Sequence, residues 1–177
     1  SRLDGRLAAI GAPMLDAALQ ALVQSLDDRL REDFAQEASL VVAAGLGAPG
    51  ARDKLVLTPV AITAGETASY GGFRPRAGGE AAPVTLDLTC LLAAPFEDQV
   101  AGLKFLSAAM AHLVTQPVLD GRSAPGLPAE ISRISVAMLK LDLGTQWSAW
   151  QALGVAMVPG VFYRVQVEVG AGWIEGD

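Results

Sequence analysis

The spacing of apolar residues near the start of the chain predicts a long amphipathic helix. Between Pro13 and Phe34, leucines recur at steps of three and four residues, while aspartates, glutamines and an arginine fill the other side. Pro13 suits the first turn of a helix, where the N–H that proline lacks would have no partner inside the helix. We therefore predict a helix over residues 13–34.

Five later segments carry the signals of β-strands, which are alternation of apolar and polar residues or a short run of β-branched residues. In the segment of residues 53–63, Pro59 indicates a sheet edge or a bulge, because proline cannot donate a ladder hydrogen bond. In the segment of residues 131–143, the alternation of apolar and polar residues slips near Ile134, which also indicates a bulge. The predicted strands are residues 39–47, 53–63, 84–92, 131–143 and 161–169.

Two further helices are predicted between these strands. The first covers residues 97–114, where acidic residues occupy the first turn and Pro117 follows the end. The second is short, from Gln146 to Leu153. Thr145 is its expected N-terminal cap, and Gly154 is the residue at which we expect it to end.

The short helix contains two of the three tryptophans of the chain. Trp147, Trp150 and Leu153 recur at three-residue steps, and residues three apart lie on neighbouring parts of a helix surface. We predict that these three residues, together with Tyr163 of the last strand, belong to the hydrophobic core. A ligand platform formed by the two tryptophans is the alternative interpretation.

The predicted elements follow the order helix, two strands, loop, strand, helix, strand, short helix, strand. This order indicates an α+β fold, a mainly antiparallel sheet with helices packed on one face. The length of 177 residues favours one domain over residues 1–177. We expect residues 1–10 and 170–177 to be flexible ends of that domain.

The segment from Ala64 to Pro83 is predicted to be a long loop, because it holds five glycines and two prolines in twenty residues. Aromatic and arginine side chains stand among the glycines, and these residue types anchor many protein interfaces. A solvated loop without partners is the alternative. The hypothesised interface residues are Tyr70, Phe73, Arg74 and Arg76 of this loop and Arg164 of the last strand.

The composition narrows the classes of partner. A net charge of −6 argues against nucleic acid, which requires clustered basic residues, and no apolar run reaches the roughly 18 residues of a membrane-spanning helix. The hydrophobic fraction of 51% indicates either apolar surface covered by partners or an excess of alanine. The single Cys90 excludes an internal disulfide and fits a reducing compartment.

The residues that could carry chemistry form no catalytic or metal-binding pattern. His112 is the only histidine, and its candidate partners Cys90 and Asp87 are predicted to point to opposite faces of one strand. One histidine and one cysteine cannot make a zinc site of His and Cys ligands. The glycine-rich segment 45–54 lacks the ending of a phosphate-binding loop. We therefore predict no catalytic residue, no metal, no cofactor and no enzymatic activity.

Two stretches of the sequence resemble one known family. "APVTLDLTCLLAAPFEDQVAGLKFLSAAMAHLVTQPVLD" has a proline, a strand that alternates leucines with polar residues, and a helix that ends before "QPVLD". "QWSAWQALGVAMVPGVFYRVQV" has two tryptophans, "ALG", a Pro-Gly pair and a Tyr-Arg pair. These features resemble the tube-cap, or tail-terminator-like, proteins of extracellular contractile injection systems, which are phage-tail-like particles. The matching positions of the second stretch are Trp147, Trp150, Ala152, Leu153, Gly154, Pro159, Gly160, Tyr163 and Arg164.

The resemblance implies a structural role. A protein of this kind forms a homo-oligomeric ring, six-fold in the family, which ends the inner tube and anchors the end of the contractile sheath. Its partners would be the inner tube protein and the sheath protein, with no nucleic acid and no membrane. It would assemble on a particle in the cytoplasm, and that particle can be released from the cell. The family brings no catalytic residues.

Two other functions stay open at this level. One is a phage tail-completion protein that joins a tail to a DNA-filled head. The other is a small α+β ligand-binding or enzyme domain whose site the sequence does not reveal.

Overall fold

The computed structural model of the chain describes residues 2–64 and 84–169, with side chains described over 14–63 and 85–169. No helix within these ranges is long and apolar enough to cross a membrane. Its helices are α1 (Arg2–Phe34), α2 (Gln99–Thr115) and α3 (Leu143–Leu153), and its strands are β1 (Val41–Ala43), β2 (Leu55–Ala64), β3 (Val84–Ala93), β4 (Val118–Leu119), β5 (Ile131–Met138) and β6 (Gly160–Val169).

The first helix ends where the sequence predicts but begins earlier. The backbone is helical from Arg2, well before Pro13, because leucine, arginine and alanine in this stretch are good helix formers. Leu22, Leu26 and Leu30 are fully buried, as their spacing of four residues requires. The extent of the domain and the flexibility of its two ends stay predictions, since residues 170–177 lie outside the described residues.

Six strands form one sheet in the order β1-β2-β3-β6-β5-β4. β1 is parallel to β2, and every other neighbouring pair is antiparallel. The longest ladder joins β3 to β6, from Val84 opposite Val169 to Ala93 opposite Gly160. The predicted α+β class with a mainly antiparallel sheet is therefore confirmed.

Both predicted irregularities of the sheet are present. The register between β2 and β3 shifts between Pro59 and Ala61, where proline removes a ladder hydrogen bond. The register between β5 and β6 shifts between Ile131 and Arg133, at the start of the strand rather than near Ile134. The strand thus enters the ladder out of register at Ile131, and its alternation of buried and less buried residues runs from Ile134.

The sheet separates a large core from a small one. On one face, α1 and α2 pack over residues that include Leu92. On the other face, α3 packs over Leu91, Ala93 and Phe162. Successive side chains of a strand point to opposite faces, so Leu91 and Leu92 belong to different cores. The predicted arrangement of helices on one face therefore describes α1 and α2, whereas α3 covers the apolar residues of the opposite face.

A buried side chain of α1 holds the start of β1. The carboxylate of Asp27 accepts hydrogen bonds from the backbone N–H groups of Leu40 and Val41, at 2.6 and 2.8 Å, and from the hydroxyl of Ser39 at 3.3 Å. Asp27 itself is buried. A buried carboxylate requires such donors, and these bonds join the long helix to the three-residue strand at the sheet edge.

Candidate assembly surfaces

The two tryptophans of α3 lie in different environments. Trp150 is 3% exposed and packs in the small core with Leu91 and Phe162. Leu153 is partly buried beside them. Trp147 is 55% exposed, so the prediction that it belongs to the core is wrong. A helix turns by roughly 100° per residue, and steps of three residues therefore drift around it, which moves Trp147 about 120° from Leu153.

The start of α3 is fixed by an aspartate that precedes the predicted cap. Asp142 accepts hydrogen bonds from the backbone N–H of Thr145 at 2.9 Å and from the Thr145 hydroxyl at 2.7 Å. These bonds hold the pKa of Asp142 below its usual range. The helix consequently begins at Leu143 instead of Gln146, and it ends at Gly154 as predicted, where φ is +67°. This shift leaves Leu143 on the surface, 78% exposed.

The second helix buries four residues and leaves three large apolar residues exposed. Its buried residues are Gly102, Leu106, Ala109 and Leu113. A Cβ at Gly102 would lie only 3.0 Å from Cβ of Phe96, so close packing requires glycine there. Val100 is 77% exposed and Val114 is 69% exposed, and Leu103 is also exposed.

The open part of the sheet face shared with α3 is polar. Arg164 of β6 is exposed there, in register between Thr89 of β3 and Ala137 of β5, and it forms no ion pair with any described residue. Further along, Arg133 and Glu168 form an ion pair at 2.9 Å. The structure therefore places the hypothesised interface residue Arg164 on an accessible surface. The other four, Tyr70, Phe73, Arg74 and Arg76, lie outside the described residues.

The candidate chemical residues are not brought together. Cys90 is buried in the large core, and this burial raises the pKa of its thiol to about 12. His112 lines a groove between α1 and α2 with Arg29 and Asp33. Its pKa is lowered, mainly by burial and also by the Arg29 charge, although the Asp33 charge raises it. Asp87 lies on the opposite face of β3 from Cys90 and accepts a hydrogen bond from Gln166. Within the described ranges no group of three His, Cys, Asp or Glu residues is placed to hold a metal ion.

Tyr163 is buried in the large core opposite Cys90, and its hydroxyl has no hydrogen-bond partner among the described residues. Burial raises its pKa to about 12. An unsatisfied buried hydroxyl costs about 1–3 kcal/mol, so we expect Tyr163→Phe to leave the free energy of unfolding unchanged or to raise it. Chemical denaturation of both proteins measures this, and a loss above about 1 kcal/mol would contradict it by revealing a partner for the hydroxyl.

Sequence reasoning missed the exposed apolar residues of the two surface helices, although a signal for them is present. α2 contains Lys104 as its one Asp, Glu, Lys or Arg, and α3 contains none of these four types. A surface helix of a globular protein normally carries charged or polar residues on its outer side. The scarcity of charged residues in both helices agrees with the apolar residues exposed on their outer surfaces.

Fold and surface together define a class of protein, an α+β protein with apolar helix surfaces on both sides of one sheet. A family comparison then identifies it further. The model described as "Pvc16 N-terminal domain" matches residues 15–170, and the chain belongs to this family. The predicted resemblance to tube-cap and terminator proteins is thereby confirmed.

Two solved structures are similar to the chain. One is the anti-feeding prophage cap, described as the AFP tube terminating cap, with 19% identity, a TM-score of 0.47, and coverage of 83% of this chain and 53% of that one. The other is the PVC sheath/tube terminator of an extracellular contractile injection system in its extended state. It has 17% identity, a TM-score of 0.42, and coverage of 66% of this chain and 43% of that one. This chain thus spans about half the length of each. No curated protein matches it.

Proposed function

We propose that the protein is a structural cap, which forms a ring at the end of the inner tube of a contractile phage-tail-like particle and anchors the end of the sheath there. The observation that carries this proposal is the family match over residues 15–170. The particle is an extracellular contractile injection system, and the partners are further copies of the chain, the inner tube protein and the sheath protein.

The surface of the described residues supports an assembly role. The exposed large apolar residues include Val100, Val114, Leu143 and Trp147, all of them on helices. Exposed apolar patches of this kind mark contact sites between proteins. A ring protein needs such surfaces on more than one side, because each copy contacts two neighbours.

The proposal is tested by removing the gene for this chain from a particle-producing cluster and imaging the particles by electron microscopy. We expect tubes of irregular, increased length and sheaths that do not hold their extended form. Expression of the intact chain from a plasmid restores uniform length. Particles of normal length and sheath state without the chain would reject a capping role.

We propose that Arg164 and the loop residues Tyr70, Phe73, Arg74 and Arg76 contact partners in the particle. Arg164 is exposed and forms no ion pair with any described residue, so it can meet a carboxylate across an interface. A second copy of the chain offers such carboxylates, since its net charge is −6. We expect Arg164→Glu to keep the melting temperature within about 2 °C, since surface changes are small in energy, and to reduce capping in the same imaging assay. Arg122→Glu, at another exposed position, is the control. Equal capping by both variants would remove Arg164 from the interface.

We also propose that the protein is not an enzyme, and that Cys90 and His112 carry no activity. The support is the burial of Cys90 in the core, where its raised thiol pKa keeps it protonated at neutral pH. We expect the double variant Cys90→Ser with His112→Gln to cap particles at normal length. Loss of capping by a variant that still melts cooperatively would contradict this expectation.

A further inference from the structure

The first helix contains a proline in its interior. α1 runs without interruption from Arg2 to Phe34, and Pro13 lies well beyond its first turn. Proline is tolerated in the first turn, because the N–H groups there have no partner inside the helix. In the interior, the missing N–H leaves the carbonyl of the residue four positions earlier, here Ala9, without its helical donor. The hydrogen-bond ladder of α1 is therefore interrupted at Pro13.

The two residues before Pro13 also weaken the helix at this point. Ala12 directly precedes the proline, and a proline ring disfavours helical dihedral angles in the residue before it. Gly11 gains more conformational freedom on leaving the helix than any other residue type would. Sharp bends of helices occur at such positions. Gly11, Ala12 and Pro13 thus each lower the free energy that is needed to bend α1 here.

After these three residues, α1 is fixed to the body of the protein. Met14, Ala18, Leu22 and Leu26 are buried in the large core. Further along, the carboxylate of Asp27 accepts hydrogen bonds from the start of β1. The helix from Met14 onward cannot change its direction without opening the core, so a bend at residues 11–13 moves the part that precedes them.

The part of α1 before these residues is short. It covers residues 2–10, and a separate helix shorter than about 12–15 residues is only marginally stable in water. Its helical conformation therefore depends on the hydrogen bonds that continue into the rest of α1, and these are reduced at Pro13. At a rise of 1.5 Å per residue this part is about 14 Å long, so a bend of about 30° displaces its far end by about 7 Å.

We infer that residues 11–13 are a hinge, about which an N-terminal helical arm formed by residues 2–10 changes direction relative to the body of the protein. Hinges are short segments of this kind, in which a few residues absorb the change in backbone angles. The sequence alone predicts a flexible end over residues 1–10, whereas a hinge confines the motion to three residues and leaves the arm helical. The hinge is a property of the single chain and does not depend on the capping role.

Distances between two spin labels test the hinge in the intact chain. Ala8→Cys with Gln24→Cys places one label on each side of the hinge. Asp16→Cys with Glu32→Cys places both labels in the fixed part of α1 and is the matched control, because both pairs are sixteen residues apart, about 24 Å along a straight helix. Cys90 is buried, so the label does not reach it in the folded protein.

We expect the pair across the hinge to give a distance distribution about twice as wide as that of the control pair, or wider. Pro13→Ala should narrow this distribution to the width of the control, because alanine restores the missing N–H and has the highest helix propensity. Backbone carbon-13 chemical shifts of the wild type should be helical over residues 2–10.

Three results overturn the hinge. The first is a distribution across residues 11–13 that is as narrow in the wild type as that of the control pair. The second is a wide distribution that Pro13→Ala leaves unchanged. The third is a set of coil chemical shifts over residues 2–10, which would make this segment a disordered end instead of a helical arm. Because each measurement uses the chain alone, none of these results bears on whether the chain caps a tube.

Discussion

Replacing Trp150 with alanine is expected to lower the free energy of unfolding by about 3–5 kcal/mol. That loss is a large part of the roughly 5–15 kcal/mol by which a domain of this kind is stable. Trp150 is 3% exposed, and among the described residues the other buried members of its small core are Leu91, Ala93 and Phe162.

Urea unfolding followed by circular dichroism measures this change without relying on tryptophan fluorescence. Trp147→Ala is the matched control, because it removes the same side chain from the same helix at a position that is 55% exposed. We expect the control to lose about 1 kcal/mol or less. Equal losses for the two variants would mean that both tryptophans are packed in the core, against the arrangement described for α3.

The second large effect is expected for Asp27→Ala, which should destabilise the protein by about 3 kcal/mol or more. The substitution removes the acceptor of hydrogen bonds from Leu40, Val41 and Ser39. The two backbone N–H groups are buried with it, and each buried donor left without a partner costs about 1–3 kcal/mol. β1 has only three residues, so it has few other bonds with which to stay on the sheet.

Two comparisons make the Asp27 experiment specific. Asp27→Asn keeps an oxygen that can accept these bonds, so its loss should lie between those of the wild type and the alanine variant. Asp28→Ala removes the same group from the adjacent residue, which is exposed and bonds only to the Gln24 side chain among the described residues. That change should cost less than about 1 kcal/mol. Amide hydrogen exchange should show faster exchange at Leu40 and Val41 in Asp27→Ala, and unchanged rates there would refute the proposed role.

We expect these two residues to affect assembly only through folding. Trp150 holds α3 on the sheet, while Asp27 joins α1 to the edge of the sheet. Loss of capping by either variant should therefore accompany a lower melting temperature. By contrast, Arg164→Glu should impair assembly in a protein that melts normally, and this difference separates interface residues from structural ones.

The candidate site was predictable only in outline. The hydrophobic fraction of 51% indicated either apolar surface covered by partners or an excess of alanine, and the interface role of Arg164 stays a prediction. It misplaced Trp147 in the core and did not reveal the surfaces formed by Val114 and Leu143. In α2 and α3 the apolar residues occupy more than one side of the helix, so their periodicity alone could not show which side is buried.

Local patterns in the sequence determined the elements other than the two-residue strand β4, their order and the α+β class. Alternation over β3 and β6, the leucines of α1, Pro59 at its bulge and Gly154 at the end of α3 act through near neighbours, so each can be read without the fold. Only the tertiary structure decided that α3 lies across the sheet from α1 and α2, that Trp150 is buried while Trp147 is exposed, and that Asp27 holds β1. Burial depends on which surface packs opposite a side chain, and here those surfaces come from residues far away in the chain.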